Sequence, residues 1–155
     1  AKNDKSKLKK FHAQLGQIKI LDPACGCGNF LVIAYRELRR LEIEVLKVLH
    51  PKSSKEGGLF NIPAEMRIDV DQMHGIEIEE WPAQIAKVAL WLVDHQMNVE
   101  LSETFGDAVF RLPLTHSARI VNDNALRIDW NGVLPADECS YVLGNPPFVG
   151  IKSRT

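Results

Sequence analysis

The chain has only three cysteines in 155 residues, too few for a disulfide framework, and this points to a reducing compartment. Cys25 and Cys27 flank a single glycine, closer than the Cys-x-x-Cys of a zinc knuckle, and the five histidines show no ligand-like spacing. No metal site is expected from them. No apolar run approaches the length that spans a bilayer, and no signal-peptide pattern opens the chain. A cytoplasmic protein without a membrane partner is therefore expected. Neither sign of charge prevails: 19 Lys and Arg face 20 Asp and Glu, for a net −1. Duplex-binding domains usually carry a strong basic balance, so this stretch alone is not an obvious DNA clamp. The Lys2, Lys5, Lys7, Lys9 and Lys10 cluster could contact phosphate, but the reading it favours is a solvated leading turn. What remains, 45% hydrophobic and 25% charged residues, is an ordinary globular composition, long enough for one domain or a piece of one. The chain opens without Met and stops soon after a motif that normally precedes more structure, so it is expected to be a fragment of a larger protein.

Two further absences concern one stretch, Asp22-Pro23-Ala24-Cys25-Gly26-Cys27-Gly28-Asn29-Phe30. An apolar run leads into it and a long amphipathic pattern follows. A strand that ends in an acid, turns through glycines and enters a helix builds a nucleotide-shaped pocket, with unpaired helix N–H groups facing the ligand. Gly26 and Gly28 fit the dinucleotide fingerprint, but Leu31 stands where its third glycine belongs. No Gly-Lys-Ser/Thr follows, which excludes a P-loop. The pocket is therefore one for a ligand without a pyrophosphate. The run from Asp22 to Gly28 resembles the first motif of S-adenosylmethionine-dependent methyltransferases that act on amino groups. That resemblance implies a cofactor site containing Asp22, Ala24, Gly26, Gly28 and Phe30. Its glycine turn would lie against the methionyl half of the cofactor, and Asp22 would face the ammonium.

Along the chain, Leu8, Phe11 and Leu15 suggest a short helix over residues 5–15, with Gly16 as its C-terminal cap. A strand is expected at 17–22. From Asn29 to His50 a stripe of Leu31, Ala34, Tyr35, Leu38, Leu41, Val45, Val48 and Leu49 is opposed by charges that include Arg36, Arg39, Glu42 and Lys47. Those charges read as a solvated helix face. Pro51 ends this helix, and residues 51–68 read as a surface loop. A second strand at 74–78 leads to a helix opening at Trp81-Pro82, with Ile85, Val88, Ala89, Leu92, Val93 and Met97 as its core stripe. Residues 98–116 read as irregular or weakly helical. Further strands are expected at 118–121 and 140–143. The alternation is that of an α/β protein with a parallel sheet. The expected organisation is a helical lead-in at 1–16, then residues 17–155 as part of one catalytic domain with a loop insertion at 51–72. Open α/β sheets bind ligands beyond the carboxyl ends of their strands, so four candidate sites should meet on one edge.

Glu77 stands at the end of the second strand, where an acid can accept both hydroxyls of a ribose; a surface acid favoured by the helix dipole is the other reading. Ile78 could pack on an adenine face. The acid usually follows the glycines by about 20 residues; here the gap is longer, as an insertion at 51–68 would make it. After the third strand, Asp123-Asn124-Ala125-Leu126 resembles the motif in which these methyltransferases set an acid against an adenine amine. Asn124 stands at the acid position, where its amide oxygen can accept from the amine, and Asp123 is the neighbouring alternative. Asn145-Pro146-Pro147-Phe148 closes the set. An adenine amine is a poor nucleophile, because its lone pair is delocalised into the ring. An Asn oxygen and a backbone carbonyl that accept its hydrogens draw the nitrogen towards tetrahedral geometry. Proline adds no competing N–H, and Phe148 can stack on a base that has left the duplex. Neither a metal nor a covalent nucleophile is needed, since the rate comes from alignment and pre-placed acceptors.

Taken together, the sequence resembles the gamma class of N6-adenine DNA methyltransferases, and more closely the methyltransferase region of single-chain type IIL restriction–modification enzymes. The resemblance runs over roughly residues 15 to 152. It rests on Asp22 to Leu31, Tyr35-Arg36-Glu37-Leu38-Arg39, Gly75-Ile-Glu-Ile-Glu79, Asn124-Ala-Leu-Arg-Ile-Asp-Trp130 and Asn145-Pro-Pro-Phe-Val-Gly150. It implies a partial, doubly wound, Rossmann-like parallel sheet with S-adenosylmethionine as cofactor. Asn145, Pro146, Pro147 and Phe148 would form the catalytic loop. Double-stranded DNA is the implied partner, reached through a recognition domain outside this stretch, with this stretch alone expected to be inactive or nearly so. Methyltransferases of protein glutamine and of ribosomal guanine share Asn-Pro-Pro-Tyr/Phe and are the alternative of like chemistry; a non-catalytic scaffold is the alternative of another class.

Overall fold

The structure, a computed structural model, describes residues 2–51, 62–106 and 117–146. Most of the expected 51–68 loop, residues 107–116, and Pro147 and Phe148 lie outside the described residues. Among the described residues, three long helices, α1 (Lys2–Leu15), α2 (Asn29–Leu49) and α3 (Glu80–Phe105), and a single helical turn at Ile62–Glu65 accompany four strands, β1 (Ile20–Asp22), β2 (Met73–Glu77), β3 (Arg119–Asn122) and β4 (Tyr141–Val142). All pairings are parallel and the strand order is β3-β2-β1-β4. Asp22 pairs with Gly75, Leu21 with Val142, and Glu77 with Asn122. The α/β class and the four strands are those expected, with ends shifted by one to three residues.

Successive strand residues face opposite sides, and Ile20 and Leu21 accordingly join different cores. Ile20 and Met73 pack with Leu31, Tyr35, Leu46, Leu90 and Met97 beneath the helices. Leu21 and Ile76 pack with Val133 and Leu134, on the other face. Two glycines bracket the helices in the left-handed region that disfavours side chains: Gly28 precedes α2 at φ 84°, and Gly106 ends α3 at φ 76°. Gly28 also lets α2 and α3 approach, since a Cβ there would stand 3.0 Å from that of Ala86. Gly16 is not such a cap: it has no positive φ, and its missing side chain instead admits Arg67, whose Cβ would lie 2.8 Å from one added at Gly16.

Three further sequence expectations are corrected. Arg39 and Glu42 do not face solvent; both are buried. Arg39 Nη2 donates to Asn98 Oδ1 at 3.0 Å, its Nη1 donates to the Ile68 carbonyl at 3.3 Å, and Tyr35 donates its hydroxyl to Asp94 at 2.6 Å. Glu42 Oε1 lies 3.0 Å from His12 Nε2 and accepts from the Arg67 N–H at 2.6 Å. A charged stripe on one helix is buried here because α1 and α3 bring partners to it from both sides. The phase of α3 is also different. Ile85, Val88 and Leu92 are 49%, 61% and 48% exposed, while Ala83, Ala86 and Leu90 are fully buried alongside Val93 and Met97. This helix is apolar on most sides, so periodicity alone does not choose the inward face; the small alanines do, because they allow the close crossing at Gly28. Finally, α3 continues to Phe105, where Leu101 and Phe105 join the core.

Candidate functional site

Every strand runs the same way, so Asp22, Glu77, Asn122 and the segment after β4 reach a single edge. The first candidate is the end of β1. Asp22 is fully buried. Its Oδ1 accepts from the Ala24 N–H at 3.0 Å, while Oδ2 is buried with no hydrogen-bond partner among the described residues. Burial pushes this carboxyl above its ordinary range, the Ala24 N–H opposes the rise, and Glu77 adds to it. A buried carboxylate oxygen left without a donor is costly in a folded protein. It is the feature a cationic ligand group would complete.

The glycine turn follows. Gly26 has φ 54°, and a Cβ added there would meet nothing within 4 Å, so the turn opens onto free space. Its N–H donates to Glu77 Oε2 at 2.8 Å. Behind it, the Cys25 N–H donates to the Ile76 carbonyl at 3.0 Å, which ties the turn to β2. The Cys25 thiol fills the space that Gly75 leaves, where a Cβ would stand 2.8 Å from Sγ. Burial first, then Asp22 and Glu77, push that thiol up to about 12, so it is a protonated packing group and not a nucleophile.

At the tip of β2, Glu77 is half-buried, and its other oxygen, Oε1, accepts from the Glu79 N–H at 3.0 Å. Each oxygen retains a further lone pair for a ligand hydroxyl. Ile78 and Phe30 are both exposed. Beyond β3, the Asp123 N–H donates to the Glu77 carbonyl at 3.0 Å, and Asp123 Oδ1 accepts from the Asn124 N–H at 2.6 Å. The Asn124 amide oxygen closes an Asx-type turn on the Leu126 N–H at 2.9 Å.

After β4, the Leu143 N–H donates to the Leu21 carbonyl at 2.9 Å, extending the ladder by one bond. Gly144 then lies flat against Asp22: a Cβ on it would stand 2.6 Å from Oδ1. Asn145 and Pro146 come next and are exposed. A run of direct contacts thus joins Gly144 to Asp22, the glycine turn to Glu77, and Glu77 to Asp123. Two participants were not singled out from the sequence. Gly144 had no signal beyond being a glycine before Asn-Pro-Pro. Asn122 gave only the weak one of an amide at a strand end. Among the described residues no group of three or more His, Cys, Asp or Glu is placed to hold a metal ion, and no helix is long and apolar enough to cross a membrane.

Comparison with known proteins gives the chain's relatives. Residues 1–155 match the family described as MmeI, DNA-methyltransferase domain. The chain is similar to DNA methyltransferase A of Bacillus subtilis (strain 168), 42% identical over 157 residues, covering 99% of this chain and 17% of that protein. It is also similar to a putative type II restriction enzyme and methyltransferase of Methanocaldococcus jannaschii, 32% identical over 85 residues, covering 55% of this chain and 7% of that protein. Among solved structures, the type IIL restriction–modification enzyme MmeI in complex with DNA superposes with a TM-score of 0.88 at 58% identity, over 96% of this chain and 20% of that one. The chain thus spans a fifth or less of the length of these relatives.

Proposed function

This chain belongs to the MmeI DNA-methyltransferase domain family, and from that premise we propose that it supplies the cofactor-binding edge of a restriction–modification DNA methyltransferase. The reaction is transfer of a methyl group from S-adenosylmethionine to the N6 amine of an adenine flipped out of double-stranded DNA, in the cytoplasm. Residues 17–155 are the N-terminal part of its catalytic domain, with 1–16 as a helical lead-in. The observation that carries this reading is the buried Asp22 Oδ2 without a donor, set beside the residue that precedes Asn145. A buried carboxylate oxygen of that kind suits the ammonium of an amino-acid cofactor.

S-adenosylmethionine, when bound, supplies an electrophilic methyl on its sulfonium. The chain's own residues bind and orient. Asp22 takes the ammonium; Ala24, Gly26 and Gly28 let backbone approach the methionyl part, with Phe30 beside them. Glu77 accepts the ribose hydroxyls, and Ile78 covers the adenine. For the cofactor's adenine amine, Asp123 is the better acceptor of the pair, because its carboxylate offers a second oxygen beside the Oδ1 that accepts from the Asn124 N–H, whereas the one amide oxygen of Asn124 already accepts from Leu126. Asn145 accepts a hydrogen of the target amine, with Pro146 and Pro147 fixing its carbonyl and Phe148 stacking on the extruded base. Pre-placed acceptors of this sort act without reorganisation at the moment of reaction.

The test uses the full-length protein that carries this chain. Asn145→Ala should abolish methyl transfer to DNA while leaving S-adenosylhomocysteine affinity near that of the unchanged protein. Asp22→Ala and Glu77→Ala should weaken that affinity. Methylation of RNA or a release factor but not DNA, or equal loss of binding and turnover in all three variants, would refute the assignment.

A further inference from the structure

Asn122 is the last residue of β3 and sits opposite Glu77 in the ladder. Its side-chain Nδ2 donates to two consecutive carbonyls of the neighbouring strand tip, Glu77 O at 2.9 Å and Ile78 O at 2.9 Å. Two carbonyl acceptors leave no choice for the amide orientation, since the oxygen would repel both. An amide is well suited to this place: its two N–H groups can serve adjacent carbonyls at the point where the regular ladder stops. A serine offers one such hydrogen, and an aspartate none.

Those carbonyls belong to the two residues assigned above to the ribose and adenine. The Glu77 side chain in turn carries the Gly26 N–H on Oε2 and the Glu79 N–H on Oε1. Asn122 therefore holds the backbone from which Glu77 reaches the glycine turn. We propose that Asn122 is a positioning residue for the cofactor ribose, acting through Glu77 by pinning the β2 tip with its bidentate amide. This rests on the reading of Glu77 as the ribose acceptor. It predicts an effect confined to ligands that carry ribose hydroxyls.

The experiment is calorimetry on the full-length protein with two probes, S-adenosylhomocysteine and its analogue lacking both ribose hydroxyls. The unchanged protein should prefer the hydroxylated probe by about tenfold or more, and Glu77→Gln should remove most of that preference. Asn122→Ala should weaken S-adenosylhomocysteine by about fivefold while leaving the dideoxy analogue nearly unaffected. Asn122→Ser should fall between, and serves in its place if the alanine variant does not fold. Each preference is a ratio measured within one protein, so a partly unfolded sample cancels out. Equal weakening of both probes by Asn122→Ala would make the residue a general structural support and overturn the proposal, as would unchanged binding of both. A native protein with no preference between the probes would instead refute the ribose role of Glu77, and the proposal with it.

Discussion

Gly144 has no room for a side chain because of Asp22: a Cβ would come within 2.6 Å of Oδ1 and 3.3 Å of Cγ. The residue before Asn145 and the buried acid at the end of β1 are thus one packed unit, although they are far apart in sequence. The carboxylate occupies the space that a side chain at residue 144 would need, so the two positions are coupled through packing.

Gly144→Ala should accordingly disturb both ends of the contact. Either Asp22 swings away or the segment after β4 shifts, with overpacking of this kind costing about 1–3 kcal/mol. S-adenosylhomocysteine affinity and the rate of methyl transfer should fall together in the full-length protein. Titration calorimetry and a single-turnover assay on the same preparation check this. A variant as active and as tightly binding as the parent would show that the contact is slack.

Asp22→Asn should separate stability from binding. The Asp22 carboxyl is raised above 3.8 in the folded state, chiefly by burial. A raised carboxyl favours folding while protonated and loses that contribution as pH rises through its folded value. At neutral pH the charge therefore works against the fold, and the amide should melt no lower than the acid in the absence of cofactor. The difference should shrink as pH falls below about 4, where the acid is protonated folded or unfolded. Cofactor affinity should be lost at every pH. Melting curves from pH 3 to 8 test the first part, and a variant less stable at pH 7 than at pH 3, relative to its parent, would contradict it.

Arg39 lies fully buried among Tyr35, Glu42, Asp94 and Asn98. Removing one partner of such a network strands the others, so Arg39→Ala should cost about 3–5 kcal/mol in urea unfolding. Arg39→Lys should recover little, because an ammonium cannot reproduce the planar fork that meets Asn98 and Ile68. Alanine replacing the exposed neighbour Arg40 should change stability by less than about 0.5 kcal/mol.

The phase of α3 can be read from paired truncations. Leu90→Ala removes a fully buried side chain and should cost about 2–5 kcal/mol. Val88→Ala, at a position 61% exposed, should cost well under half of that in a surface setting. The reverse order would restore the stripe drawn from periodicity.

The local chemistry was legible in the residues themselves. An acid before a glycine turn, an acid at the end of a second strand, and Asn145 before Pro146 each require a particular backbone or donor set, and the succession of strands and helices carried them to one edge. Such features depend on residue type and near neighbours, so sequence by itself determined the parallel α/β class, the motif order and the candidate cofactor edge. Tertiary structure alone decided which side of α3 faces inward, whether Arg39 and Glu42 meet water, and that Gly144 rests on Asp22 while Asn122 holds the tip of β2. Each of these turns on what a distant segment brings against a face. A helix apolar on most sides, or a charge with three distant partners, carries no short-range mark of that covering.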